Sequence, residues 1–438
     1  MSISDTTDAT DATDTVVTAR PTDTVDRRHI PAWIRFPAMV ALALFLLAIT
    51  KSVTDARDLT SPSIWGTVLR LTVPIMLAGL AGLWAERVGI VNIGIEGMMI
   101  LGTWFGAWGA YKWGGWIGLG MAILGGVLGG LIHAVATVRF NVDHVISGVA
   151  LNLLAFGGMR YLSAVTYGIN RISNSPVQRS GIARFNIPFL AGGEIFGWKT
   201  PSIFGWVSDR DVAILSDMAR ILRGLCTGVS AATLIAFALV AVTWFVLWRT
   251  TFGLRVRSSG EAPSAAESLG VRVQPLRFAA LAVSGAFAGL AGGYLSIVTT
   301  DHYQQGQTQS KGYIGLATTI FGNWRPSGVM GGAMLFGFAD TLNARGKPES
   351  VPSLFILFTF IAGLLIVFNL YRRKATSAAA AAVVGGLLWL AYWRLDRLPE
   401  SLTHTTPYVV TLIVLAVASQ RLRPPAHAGQ PYRSGEDH

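Results

Sequence analysis

Long apolar segments separated by short polar ones recur along the chain from Pro37 onward. A segment of about 20 apolar residues is long enough to cross the hydrocarbon core of a bilayer as an α-helix. The predicted spans are 36–53, 65–85, 88–110, 115–138, 144–167, 223–248, 276–298, 312–323, 327–344, 351–371, 377–394 and 405–420. The pattern therefore predicts an all-α fold, a polytopic transmembrane bundle of about 10–12 helices.

The segment 312–323 is too short to cross a bilayer by itself. Transporters often contain such broken or short helices, which lean on their neighbours inside the membrane. Glycines also recur within the apolar segments, in the sequence GGVLGG at 125–130 and at four-residue spacing at Gly285, Gly289 and Gly293. Because small residues let membrane helices approach closely, these glycines are predicted to lie at helix contacts.

The composition agrees with a membrane protein, since 52% of the residues are hydrophobic, 13% are charged and the mean hydropathy is +0.49. The net charge of +11 raises the question of nucleic-acid binding. Lysine and arginine cluster at the ends of apolar segments, however, and form no basic stripe interleaved with aromatic residues. The charge therefore indicates membrane orientation, and no nucleic-acid partner is expected.

Three regions are predicted along the chain. Residues 1–30 repeat Thr, Asp and Ala and contain little that could be buried, which is typical of a disordered tail. Residues 31–371 are predicted to form the main transmembrane domain, and residues 372–438 a C-terminal extension with about two further apolar helices and a polar tail. The single cysteine, Cys226, excludes an intramolecular disulfide and is interpreted as a packing residue.

Orientation follows from the positive charges, which favour the cytoplasmic side. The charges that set it are Arg27, Arg28 and Arg35 before the first span and Arg372, Arg373 and Lys374 after the tenth. Counting spans from these anchors puts 249–275 inside and 168–222 outside, with both termini cytoplasmic. Arg394 and Arg397 fall outside on this count, against the charge rule.

A polar stretch, RSSGEAPSAAESLGVRVQP, lies at 257–275 between two apolar segments. Gly260 is predicted to release the preceding helix, Pro263 to start a short helix and Gly270 to end it. The stretch is thus a short cytoplasmic helix. It is either a plain connection or a docking element for a partner.

Glu96 is the most unusual polar residue of the apolar segments because it lies in the middle of the predicted span 88–110. A carboxylate at the centre of a membrane helix costs about 2.5–3.5 kcal/mol, so it is predicted to face a partner or a wet cavity. Asn92, one turn earlier on the same predicted helix, would share its face. Asn152 in the fifth span is a third candidate. Each lines a translocation path or holds a neighbouring helix.

Signatures of catalysis are weak. The best phosphate-loop candidate, GGEIFGWKT at 192–200, has Trp198 between the glycine and the lysine that such a loop joins directly. Metal-ligand spacing and a nucleophile elbow are missing from the sequence as well. We therefore expect no enzyme, no metal and no cofactor on this chain.

Three stretches resemble the permease subunits of nucleoside ABC importers, a group related to ribose and branched-chain amino acid permeases. They are GLWAERVGIVNIGIEGMMILGTW at 82–104, NVDHVISGVALNLLA at 141–155 and KGYIGLATTIFGNWRPSGVMGGAMLFGFADTLNARG at 311–346. The resemblance covers roughly residues 65–371. The polar helix is similar, in looser spacing, to the ATPase coupling loop of such permeases, with Gly260, Glu261, Ala265, Ala266 and Gly270 as the matching residues.

The resemblance implies a permease subunit that imports nucleosides across the cell membrane. In a cell with two membranes, this would be the inner membrane. Its implied partners are a separate ABC ATPase that binds and hydrolyses ATP, a second and related permease subunit, and an extracytoplasmic substrate-binding lipoprotein. A permease for ribose or another small sugar is one alternative. Others are an ion-coupled secondary transporter with Glu96 as its proton site, which would need no ATPase, and a membrane scaffold without transport.

Overall fold

The computed structural model describes residues 32–178, 181–195, 197–210, 212–345, 352–394 and 422–432. The first predicted region, residues 1–30, and the predicted span 405–420 lie outside the described residues. The chain divides into a small unit, residues 1–43, and a main unit, residues 44–438. The described part of the small unit, residues 32–43, is the first half of a helix, and the following account concerns the main unit.

The described helices are α1 (Ala32–Thr54), α2 (Pro62–Glu86), α3 (Ile95–Trp113), α4 (Gly115–Ala134), α5 (His144–Tyr167), α6 (Ile203–Ser208), α7 (Ala213–Cys226), α8 (Ala231–Arg249), α9 (Thr251–Glu261), α10 (Pro263–Ser268), α11 (Val273–Tyr294), α12 (Lys311–Phe321), α13 (Pro326–Arg345), α14 (Pro352–Tyr371) and α15 (Ala375–Arg394). π-helical turns extend α4 over Val135–Arg139 and α11 over Leu295–Thr299. Short 3-10 turns occur at Arg57–Thr60 and Ile169–Arg171. The strands have two residues each and are β1 (Arg184–Phe185), β2 (Glu194–Ile195), β3 (Trp198–Lys199) and β4 (Val229–Ser230).

Seven of the described helices are long and apolar enough to cross a membrane: α2, α4 with its π-turn, α5, α8, α11 with its π-turn, α14 and α15. Buried residues make up 83% of the apolar window of α2 and 78% of that of α11, against 22% for α14 and 11% for α15. α2 and α11 therefore form the centre of the bundle, whereas α14 and α15 expose apolar surface suited to lipid. The predicted all-α polytopic bundle is confirmed.

α4 and α11 pack backbone to backbone through glycine. A Cβ added to Gly126 would lie 2.5 Å from the Cα of Gly289 and would also strike the carbonyl oxygen of Gly285. Gly130 packs in the same way against Leu281 one turn further along, so the two helices run antiparallel. The predicted glycine contacts at 125–130 and at Gly285, Gly289 and Gly293 are confirmed.

Two predicted span boundaries are wrong, and in both cases a backbone break lies within a continuous apolar segment. The span 88–110 starts too early, because residues 87–94 are not helical and α3 begins at Ile95. Gly89, with φ of +86°, takes a left-handed conformation that ends the preceding helix. The span 223–248 joins two helices that are separate, α7 and α8, because Gly228 is left-handed at φ +64°.

A small region outside the bundle joins distant segments of the chain. β1 pairs antiparallel with β4, and β2 pairs with β3 as a hairpin. The hairpin occupies the stretch that was compared with a phosphate loop, and its Lys199 lies in β3, whereas the lysine of such a loop lies at the start of a helix. Nearby, the buried Asp217 of α7 pairs with Lys51 at 3.1 Å and accepts a hydrogen bond from Thr60 at 3.1 Å. These contacts fix α7 against α1 and the turn before α2.

Gly126→Ala is expected to lower the melting temperature of the detergent-solubilised protein. The added methyl group must push two helix backbones apart, and overpacking of a tight contact costs about 1–3 kcal/mol. Gly120→Ala on the same helix is the matched control, because nothing lies within 4 Å of its Cβ position. Thermal unfolding of both variants checks this, and equal melting temperatures would contradict the close packing of α4 on α11.

Candidate functional site

Two helices, α3 and α12, begin inside the bundle after an irregular segment. Residues 87–94 precede α3 and residues 300–310 precede α12. The first turns of the two helices meet at Glu96, whose Oε1 accepts the N–H of Ser310 at 3.2 Å and whose Oε2 accepts the N–H of Gly312 at 2.7 Å. The first N–H groups of a helix have no partner within it, and a carboxylate satisfies them while interacting favourably with the helix dipole. Glu96 therefore caps α12 from α3.

The cap requires a very close approach of the two helices. A Cβ added to Gly312 would lie 2.7 Å from the Cα of Glu96. Just before α12, Gln309 and Ser310 are left-handed at φ +48° and +61°, a conformation that is uncommon for residues other than glycine. A strained backbone conformation of this kind persists only where the surrounding structure holds it in place, and such residues cluster at functional sites. We call the contact of Glu96 with Ser310 and Gly312 the helix junction.

Asn152 of α5 satisfies the start of α3 in the same way. Its Oδ1 accepts the N–H of Gly97 at 2.7 Å. Its Nδ2 donates to the carbonyl of Ile93 at 3.1 Å and to the hydroxyl of Tyr313 at 2.8 Å. Asn152 thus links α5 to both helices of the junction.

The predicted geometry of Asn92 and Glu96 is wrong. Asn92 does not lie one turn before Glu96 on a shared helix face, because it belongs to the irregular segment before α3. It is fully buried and donates from Nδ2 to the hydroxyl of Ser284 on α11 at 3.0 Å. Glu96 is in the first turn of α3 and not in the middle of a helix, although its burial, at 7% exposed, agrees with the prediction. Roles of Asn92, Glu96 and Asn152 in a translocation path remain predictions.

The polar stretch near residue 260 forms two helices. Pro263 is the first residue of α10, and Gly270 follows its end with φ of +81°, as predicted. Gly260 does not release the chain, because it lies inside α9, and its Cβ position is only 2.9 Å from the carbonyl carbon of Arg87. Glycine is therefore required there for packing. In α10, Ala266 is buried, while Ala265 and the following Leu269, 85% exposed, face away from the protein.

Arg87, which sequence reasoning did not single out, connects the end of α9, the helix before α10, to the bundle. Its Nη1 lies 3.8 Å from Oε1 of Glu261, its Nη2 donates to the carbonyl of Trp324 at 2.5 Å, and its guanidinium stacks over Trp248 at 5.2 Å. Burial lowers the pKa of Arg87, and the neighbouring Glu261 carboxylate opposes that shift. We call this group the arginine node. It joins the end of α2 to α8, α9 and the turn before α13.

The turn before α13 is the tight break that NWRPSG predicts. Asn323 and Trp324 are left-handed at φ +51° and +53°, and Pro326 begins α13. The indole N–H of the buried Trp324 donates to the carboxylate of Glu86. Trp324 therefore anchors the turn to the end of α2, and its partner Glu86 stands directly before Arg87. The sequence WAER at 84–87 could have indicated these two residues, since two opposite charges end an apolar helix there.

Among the described residues, no group of three or more His, Cys, Asp or Glu side chains could hold a metal ion. The residues that come together are instead caps and packing contacts between broken helices. Such an arrangement suits a conformational change in a polar path.

Comparison with known proteins gives a consistent result. Residues 64–370 match the family model of the permease component of branched-chain amino acid transport systems. The chain is 33% identical to the guanosine ABC transporter permease protein NupQ of Bacillus subtilis over 65% of this chain and 84% of that protein. It is 30% identical to the nucleoside ABC transporter permease protein NupC of Lactococcus lactis over 72% of this chain and 94% of that protein. No solved structure matches the chain.

Glu96→Ala is expected to destabilise the protein, because it leaves the N–H groups of Ser310 and Gly312 unpaired in the bundle. Each unsatisfied buried group costs about 1–3 kcal/mol. Glu96→Gln keeps one acceptor oxygen and should have a smaller effect. Thermal unfolding in detergent compares both with Glu194→Ala, which removes an exposed carboxylate from β2. If Glu96→Ala melts at the same temperature as Glu194→Ala, the capping role is excluded.

Proposed function

This chain belongs to the permease family of branched-chain amino acid transport systems, and we infer that it is one permease subunit of an ATP-driven importer of nucleosides. The observation that carries the substrate class is the identity of 30–33% to permeases named for guanosine and nucleosides, over most of their length. The helix junction supports a transport role, because transporters bind substrate where discontinuous helices meet. Residues 31–371 would form the permease domain, with residues 372–438 as an extension of it.

ATP hydrolysis would occur on a separate ABC ATPase that docks on α10. The exposed Ala265 and Leu269 offer it a small apolar surface, and the flanking Arg255 and Arg272 keep that surface out of the bilayer. ATP would be bound by that partner, and we expect no cofactor on this chain. The ATPase face would be cytoplasmic, together with both termini, in a multi-pass protein of the cell membrane.

Movement of α10 would reach the membrane through a short chain of contacts. α10 follows α9 directly, and Glu261 at the end of α9 interacts with Arg87. From Arg87 the irregular segment 87–94 leads to α3 and Glu96. A shift of α10 would therefore act on the helix junction, which either holds α12 against α3 or releases it.

A second permease and a substrate-binding lipoprotein would complete the importer. Two different permease proteins of B. subtilis, NupQ and NupP, match this chain, and so do NupC and NupB of L. lactis. This pairing supports a partner permease that is related but different. The lipoprotein would deliver substrate to the outer face.

Sugar transport is the second candidate, because a putative glucose ABC transporter permease protein of Haloferax volcanii, TsgC13, is 32% identical over 78% of its length. Nucleoside import is distinguished from sugar import by measuring guanosine uptake by the reconstituted importer. Unlabelled uridine, ribose and glucose serve as competitors. An ion-coupled carrier would lose uptake with an uncoupler even when ATP is kept constant.

Leu269→Asp is expected to abolish co-purification of the ATPase and guanosine-stimulated ATP hydrolysis, since it puts a charge into the apolar docking surface. The side chain is 85% exposed, so folding should not change. Trp198→Asp in β3, another exposed apolar residue, is the matched control. Retention of the ATPase at wild-type level by Leu269→Asp would exclude α10 as the docking site.

A further inference from the structure

A polar cavity of about 300 Å³ borders the helix junction. This volume is at the lower end of the range for small-molecule sites, about 300–1,000 Å³. Its lining includes Thr299, Gln305, Gln307, Gln309 and Lys311. Gln309 and Lys311 flank Ser310, whose N–H bonds to Glu96. A molecule in the cavity would therefore lie against the junction.

Two buried polar atoms on the lining residues have no hydrogen-bond partner in the described part of the protein. They are Oγ1 of Thr299 and Nε2 of Gln307. Buried polar groups are nearly always paired, so each unpaired one requires an explanation. The left-handed Gln309 beside them marks the same place as strained. Both atoms are closed off from solvent, so a ligand with hydrogen-bonding groups would supply the missing partners once these side chains rotate toward the cavity.

The charge of the lining selects the kind of ligand. Lys311 is buried and already pairs with the carboxylate of Asp340 at 3.3 Å and with Oε1 of Gln309 at 2.9 Å. Its positive charge is therefore compensated and does not attract an anion. The amide oxygens of Gln305, Gln307 and Gln309 already accept hydrogen bonds within the protein, so these side chains offer a ligand N–H donors, which suit the carbonyl oxygens and ring nitrogens of a nucleobase.

We propose that this cavity is a binding subsite for an uncharged nucleoside, and that the Lys311–Asp340 pair makes it reject nucleotides. The proposal rests on the proposed function and names the part of the chain that reads the substrate. Gln307 would donate to the nucleoside, and Thr299 would contribute its hydroxyl.

The test uses the complete importer in liposomes. Gln307→Leu is expected to raise the half-saturating guanosine concentration about three- to tenfold, the loss of one hydrogen bond, without changing the maximal rate. Gln274→Leu in the first turn of α11, away from the cavity, is the matched control. Asp340→Asn leaves Lys311 uncompensated, so guanosine 5′-monophosphate should now inhibit guanosine uptake, which it should not do in the wild type.

The subsite proposal would be overturned if the half-saturating guanosine concentration were the same for Gln307→Leu and for the control. It would also be overturned if guanosine 5′-monophosphate did not inhibit guanosine uptake by Asp340→Asn. Either result would leave nucleoside import by the wild type intact. A wild-type importer that takes up no nucleoside would instead contradict the proposed function.

A second inference comes from the C-terminal residues 422–432, which lie beyond the family match and which we call the strap. The strap crosses the surface that carries α10. The N–H of His427 donates to the carbonyl of Gly260, and the N–H of Gly429 donates to the carbonyl of Gly89, each at 3.0 Å. Its first part is fixed by the N–H of Arg423, which donates to Oδ1 of Asn323 at 2.8 Å.

The strap also holds α10 through a side chain. The hydroxyl of Tyr432 donates to the carboxylate of Glu267 in α10, and Arg277 of α11 stacks over its ring at 5.2 Å. Burial and the bond to Glu267 raise the pKa of Tyr432 to about 12, so the hydroxyl stays protonated as a donor. Ala265 and Leu269 remain exposed beside the strap. The strap therefore leaves the docking surface open.

We infer that the strap is a tether that makes α10 move together with the irregular segment 87–94 and hence with the helix junction. Its hydrogen bonds to Gly260 of α9 and to Gly89 of the segment 87–94 join these two parts of the protein directly. This inference rests on the proposed function, since it concerns how ATPase movement reaches the membrane. It assigns Tyr432 as a positioning residue.

Deletion of residues 422–438 and the variant Tyr432→Phe test the tether, with deletion of 433–438 as the control. Guanosine imported per ATP hydrolysed should fall at least threefold on removal of the strap and less in Tyr432→Phe, with unchanged ATPase co-purification. An unchanged ratio would exclude the tether, and so would increased ATPase binding, which indicates a blocking role. A wild type without guanosine-stimulated hydrolysis would contradict the proposed function instead.

Discussion

The requirement to satisfy the N–H groups of a helix that starts inside the membrane governs this structure. A break in a helix inside the bundle is tolerated only where another part of the protein or a water-filled cavity supplies acceptors. Glu96 supplies two oxygens to α12, and Asn152 supplies one to α3. Because each broken helix is completed by a residue from elsewhere, α3, α5 and α12 are placed as one group.

That arrangement connects the membrane interior to the surface that carries α10. Only the irregular segment 87–94 separates the arginine node from α3. Arg87 contacts Glu261 and Trp324, and Glu96 contacts α12, so both ends of the same segment are fixed to moving parts of the proposed importer. The close packing of α4 on α11 provides a rigid frame, because backbone contact through glycine leaves no room for sliding. In the proposed importer, movement would therefore be concentrated in the broken helices.

Seven of the predicted spans correspond to helices long and apolar enough to cross a membrane, because about 20 consecutive apolar residues predict such a helix. The predicted spans at α3, α12 and α13 are not among these seven, so only the seven spans were predictable. The breaks were not, because they depend on partners far away in the sequence. Nothing local shows that the amide of Asn92 bonds to Ser284 or that Gly228 turns left-handed between two apolar stretches. The burial of Glu96 was predictable from its cost, whereas its two partners lie more than 200 residues away. The strap is polar and gives no periodic signal at all.

The geometry also removes the contrast between a structural and a transport role for Glu96. A cap across two helices is a bond that must break whenever α12 tilts away from α3. Breaking it exposes a carboxylate and two N–H groups, which need a new partner inside the protein. A polar substrate or water in the adjoining cavity can supply that partner. In the proposed importer, the same residue would stabilise the closed junction and would become part of a polar path when the junction opens, as a bistable element that links ATPase movement to passage of substrate.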